Sequence, residues 1–150
     1  MIEASFADAH SPQWVRETLT DPTNELVVLR QVIPWQRIIS RSTRFYDSQK
    51  GRLGKSLRMM VGILIVSKLR GLSDPAVVAQ VKENRYMQYF CNVPDEGLQT
   101  FLCPSAICRF RGRLGEEGAA IIETEVFEGL RRAGVVEADT SPGVHRGQLY

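Results

Sequence analysis

The stretch from Leu53 to Leu69, LGKSLRMMVGILIVSKL, constrains this chain more than any other. At helical spacing Leu57, Met60, Val61 and Leu64 form one stripe, while Met59, Ile63 and Val66 occupy the opposite side. A helix here is therefore apolar nearly all round between its charged ends, and such a helix has to be buried by other elements. Its longest apolar run, Met59 to Val66, is far short of the roughly 20 residues that cross a bilayer. The covering elements must come from the rest of a 150-residue chain, enough for one domain with a substantial core.

Those elements read as helices, because strand alternation is missing and helix punctuation recurs. Gly71 offers a left-handed stop, Ser73 an N-cap and Pro75 a first-turn residue, opening a helix that faces Val77, Val78 and Val81 inward. A further piece from Arg85 to Cys91 buries Met87 and Phe90. Asn24 caps a helix through Val32. Pro34 suits the first turn of the next, which turns Trp35, Ile38 and Ile39 inward and leaves Arg37, Arg41 and Arg44 in water. The stretch NVPDEGLQTFLCP reads as a loop anchored by Leu98 and Phe101. Residues 1–22, interrupted by Pro12 and Pro22, read as a flexible arm with one short helix near Trp14. The expected fold class is all-α, a compact multi-helix domain over residues 23–134, with 135–150 a connector.

The segment CPSAICRFRGRLGEEG, residues 103–118, concentrates charge in a nearly neutral chain. With Ser105 as N-cap, Ile107, Phe110 and Leu114 share one helix face, Ser105, Arg109 and Arg113 lie nearly opposite, and Arg111 sits at the apolar margin. Gly115 is the expected stop. A last helix then runs to about Ala133, with Ala119, Ile122, Val126 and Leu130 inward, Glu123, Glu125 and Glu128 solvated, and Gly134 as terminator. Two guanidinium groups one turn apart suit phosphate or guanine recognition, since each is a planar fork. The residues alone equally allow a solvated face that bridges to Glu116 or Glu117.

Charge is segregated although the net charge is only +2. From Arg30 to Arg58 eight basic residues face the single acid Asp47, whereas Glu116 to Asp139 is acid-rich. Lys50, Arg52 and Lys55 make KGRLGK a basic loop, without the spacing of a nucleotide-binding P-loop. Cys91, Cys103 and Cys108 fit neither a disulfide framework nor, with His10 or His145, a zinc site. The N-terminus lacks the features of a secretory signal. These features predict a soluble cytoplasmic protein with reduced thiols, no membrane partner, and no catalytic or metal-binding set.

The order GRLGKSLRMMVGILIVSKLRGLSDPAVVAQVKENRYMQYF, then LQTFLCPSAICRFRGRLGEEG, then AGVVEADT resembles the N-terminal domain of bacterial insertion-sequence transposases of the InsH type, within the DDE transposase group. The resemblance covers roughly residues 20 to 140, and its most specific part is P-S-x-x-x-R-x-R-x-R-L-G-E-E-G. It implies a helix-turn-helix-like domain that binds the transposon's terminal repeats, with Ser105, Arg109, Arg111, Arg113, Lys50, Arg52 and Lys55 as the DNA-binding residues. In the full-length family a ribonuclease-H-like domain follows and holds magnesium through three carboxylates. Asp139 and Thr140 match the start of its first motif, but Ser141, Pro142 and Gly143 depart from it, so residues 135–150 are either a connector or the truncated start of that domain. The expectation is a truncated product that binds transposon ends with no cofactor and no catalysis. The alternative is an oligomerisation or inhibitory module acting on itself or on full-length transposase.

Overall fold

The computed structural model describes residues 7–46, 56–100 and 102–134. Among these the domain is all-α, as the sequence predicts: α1 (Pro12–Thr18), α2 (Glu25–Val32), α3 (Trp35–Ser42), α4 (Leu57–Arg70), α5 (Asp74–Glu83), α6 (Arg85–Cys91) and α7 (Pro104–Arg132). Short 3₁₀ segments follow α3 at Thr43–Phe45 and α6 at Asp95–Thr100, the second lying in the expected loop. No helix among the described residues is long and apolar enough to cross a membrane.

The apolar helix occupies the centre. Met60, Val61, Ile63, Ile65 and Val66 of α4 are all buried, with α3, α5, α6 and α7 packed around them. Each such side chain contributes about 1.5–3 kcal/mol when fully removed from water. Ser56 caps the helix by accepting from the Met59 N–H at 3.0 Å, and Gly71 ends it at φ 64°. The expected start at Leu53 lies outside the described residues. Leu64, expected in the core stripe, is only half-buried and lines a groove beside α7.

Local signals set the neighbouring helices. Asn24 accepts from the Leu26 N–H at 2.9 Å, and Ser73 from the Ala76 N–H at 3.2 Å. Asn84 caps α6 by accepting from the Met87 N–H at 3.0 Å. Pro34 is the residue before α3 and not in its first turn. Buried Gln88 donates to the Val81 carbonyl at 2.8 Å and thereby fixes α6 against the end of α5.

Arg58 of α4 is 1% exposed, an unexpected place for a guanidinium. It lies 3.3 Å from the centroid of the Trp35 ring and donates to the Phe90 carbonyl at 2.8 Å, joining α3, α4 and α6. Burial pulls its pKa down to about 9 and pushes the neighbouring Cys91 thiol up to about 12.

The N-terminal segment expected as an arm is packed where it is described. Asn92 accepts from the Ala9 N–H and donates to the Ala7 carbonyl, each at 2.9 Å. His10 is buried, with its ring centroid 3.9 Å from that of Trp14, whose indole N–H donates to Asp95. Leu19 completes a small second core with Val27 and Tyr89.

Gly115 breaks the helix as expected: at φ 60°, ψ −164° it is non-helical, so α7 consists of two helical halves that meet at a kink there. Ile107, Phe110 and Leu114 are buried before the kink, as predicted; after it Ile122, Val126 and Leu130 are buried, but Ala119 is exposed. Gly134 follows the C-cap at φ 80°. α3 runs antiparallel along α7. Val32 and Pro34 abut Gly129, Arg37 and Arg41 reach Glu125, Arg44 reaches Glu117, and the Tyr46 ring meets Phe110 edge-on at 5.7 Å.

Candidate nucleic-acid interface

The first half of α7 is held by its apolar face, and its basic residues sort by what they touch. Pro104 opens the helix and Cys103 is the N-cap, with no side-chain cap bond. Ser105 is therefore not the expected cap. Proline's fixed φ and missing N–H suit the first helical position, which moves the cap two residues back and places Ser105 within the first turn. Its hydroxyl is exposed and lies 3.3 Å from Cys103 Sγ. That contact, with a smaller contribution from the Arg109 charge, holds the Cys103 thiol below the ordinary range.

Arg109 is exposed and has no hydrogen bond or ion pair among the described residues. Arg113, one turn on, is half-buried; its guanidinium stands 5.8 Å from the centroid of the Tyr46 ring and likewise makes no ion pair there. Glu117, one of the two acids able to bridge them, bonds Arg44 at 2.6 Å instead. Arg111 differs, being paired with Asp74 at the start of α5. Burial pushes the Tyr46 phenol pKa up, with Arg113 opposing the shift. Lys50, Arg52 and Lys55 lie outside the described residues, as do Asp139 and Thr140.

The structure also brings together residues that the sequence reading kept apart. Glu125, expected on a solvated face, is buried beneath Arg37 and Arg41 and bonds both. A signal was present: Glu125 falls three residues after Ile122 and four before Gly129, inside the apolar stripe of its helix. Arg37, Arg41 and Arg44 at i, i+4 and i+7 likewise mark one face of α3.

An apolar groove of about 460 Å³ opens beside the kink, lined by Leu64, Ile65, Leu72, Leu114 and Ile122 with Lys68, Arg111 and Glu123 among its polar residues. Among the described residues no group of three or more His, Cys, Asp or Glu side chains is placed to hold a metal ion.

The described residues form an all-helical core with an arginine-bearing helix docked on it, and comparison assigns the class. Residues 14–113 match the family described as Transposase domain (DUF772), and the chain belongs to that family. The match takes in Arg109, Arg111 and Arg113 and stops before Glu117 and Glu125. Over 102 residues the chain is 32% identical to a Rhizobium meliloti protein described as uncharacterized protein ORF8 in the nfe locus; the alignment covers 68% of this chain and 49% of that relative. The chain thus spans about half the length of the curated relative it matches. No solved structure matches. The chain has a transposase-related role.

Proposed function

We propose that this domain binds duplex DNA at transposon ends, with Arg109 and Arg113 as the principal contacts from the first half of α7. The observation that carries the reading is that both guanidiniums lack an ion-pair partner among the described residues while the opposite face of their helix is pinned by Ile107, Phe110 and Leu114. Membership of a transposase family supports DNA as the polyanion. The helix-turn-helix-like role belongs to the same proposal: Ser105 stands near the helix N-terminus, where N–H groups favour phosphate oxygens. Lys50, Arg52 and Lys55, outside the described residues, belong to the same proposal as further backbone contacts. Arg111, engaged by Asp74, contributes least.

The test is a salt titration of duplex affinity for wild type and the Arg109→Ala, Arg113→Ala double variant, on a terminal-repeat duplex and a scrambled one. Loss of two phosphate contacts lowers the slope of log K against log salt by about 1.8. Contacts to base edges would chiefly relax the preference for the terminal repeat. Identical affinities and slopes for the two proteins overturn the assignment. Concentration-dependent sedimentation with no duplex binding would move the domain to a protein-interaction role.

A further inference from the structure

Arg37 and Arg41 are held by a buried carboxylate that orients them without neutralising them. Arg37 Nε donates to both Glu125 oxygens at 2.9 and 2.7 Å, and Arg41 Nη1 donates to Oε2 at 2.7 Å. The Glu125 side chain is 3% exposed, whereas those of Arg37 and Arg41 are 65% and 43% exposed. The carboxylate is thus covered by two arginines whose side chains remain exposed. The Nη groups of Arg37 make no bond to it. One negative charge beneath two positive ones leaves a net cation on the surface. A free arginine gives up rotamer freedom when it grips a phosphate, and here the anchor has already fixed the side chains.

This pair is continuous with the α7 arginines. Because α3 lies antiparallel to α7, Arg37 and Arg41 sit over Glu125, Arg44 follows over Glu117, Arg113 over Tyr46, and Arg109 one turn beyond. Four guanidiniums, those of Arg37, Arg41, Arg44 and Arg113, line this seam against Glu117 and Glu125.

We infer that Arg37 and Arg41, positioned by Glu125, form a second contact to the phosphodiester backbone of the duplex that Arg109 and Arg113 engage. The inference rests on the DNA-binding reading. Glu125 is a positioning residue that touches no nucleic acid.

The test uses two variants of the full chain with the same change in net charge. Arg37→Ala removes one cation and one contact. Arg37→Ala, Arg41→Ala, Glu125→Leu removes two cations and one anion, and two contacts; it also replaces the buried ionic group with an apolar one, a change that cores commonly tolerate. Slopes of log K against log salt on a duplex should fall by about 0.9 for the first and about 1.8 for the second. Equal falls would mean that net charge alone acts, and no fall in either would mean that α3 faces away from DNA; both outcomes overturn the inference. If the triple variant loses its helical circular dichroism, Arg37→Lys decides instead. It keeps the charge but lacks the fork, and should weaken binding several-fold; unchanged affinity refutes the contact. A wild type that binds no duplex removes the DNA reading itself. A lowered slope in the Arg109, Arg113 double variant with none in the α3 variants removes only this inference.

Discussion

Three glycines of α7 should respond differently to the same substitution, and the pattern tests the register of α3 on α7. By helix propensity alone, glycine to alanine in a helix interior gains about 1 kcal/mol. Gly112 should realise that gain, since a Cβ there meets nothing within 4 Å. At Gly129 a Cβ would lie 2.8 Å from both Pro34 Cδ and the Val32 carbonyl oxygen, against ordinary contact at 3.4–4 Å. The first atom is locked in a ring and the second belongs to the backbone, so neither can rotate aside. Overpacking of this kind costs about 1–3 kcal/mol, which offsets or exceeds the propensity gain and leaves a net loss of up to about 2 kcal/mol. Gly115, at φ 60° and ψ −164°, occupies a region essentially confined to glycine, and alanine there costs about 1–3 kcal/mol unless the kink straightens. Thermal melts followed by circular dichroism should rank Gly112→Ala above wild type, and Gly115→Ala and Gly129→Ala below it, with a few degrees between neighbours. A Gly129→Ala midpoint raised as far as that of Gly112→Ala would show that α3 does not close on α7 there. The ordering of arginines along the seam would fall with it.

Phe110→Ala should cost about 3–5 kcal/mol in urea unfolding, since the ring is 1% exposed and meets Tyr46 edge-on, whereas Arg109→Ala should stay within about 0.5 kcal/mol; equal costs would mean the helix is docked on its other face. Acidification should loosen the N-terminal segment. Burial holds the His10 pKa below its ordinary value, with the Val93 backbone and Asp95 opposing and Arg30 and Arg85 reinforcing, so below about pH 6.5 the unfolded chain binds a proton that the folded one resists. Asp95 stays ionised across that window because Arg85 holds its carboxyl low. Hydrogen exchange of the Ala9 amide should therefore quicken between about pH 7.5 and 5.5 beyond its intrinsic rate, and an equal excess in His10→Phe would refute the cause. Iodoacetamide on the native protein should label exposed Cys103 and Cys108 and spare buried Cys91, whose thiol is pushed up to about 12; mass spectrometry showing Cys91 modified at a comparable rate would contradict the packing of α6 on α4.

Caps, stops and the inward faces of single helices were legible in the sequence because they depend on a few adjacent residues. Asn24 and Ser73 each cap through a bond two or three residues away, Gly71 turns left-handed beside its own helix, and Arg85–Cys91 begins and ends as read. The central place of α4 followed from its lack of a polar face. The spacing of Arg109 and Arg113 opposite Ile107, Phe110 and Leu114 was equally local. What the sequence left open was decided by partners far along the chain. Glu125 is buried because Arg37 and Arg41, 88 and 84 residues away, cover it. Arg58 is buried among groups from two other helices, the Trp35 ring and the Phe90 carbonyl, that no local pattern places beside it. Asn92 holds Ala7 and Ala9 across more than 80 positions. A charged side chain's own pattern states its cost of burial; only the tertiary structure supplies the groups that offset it.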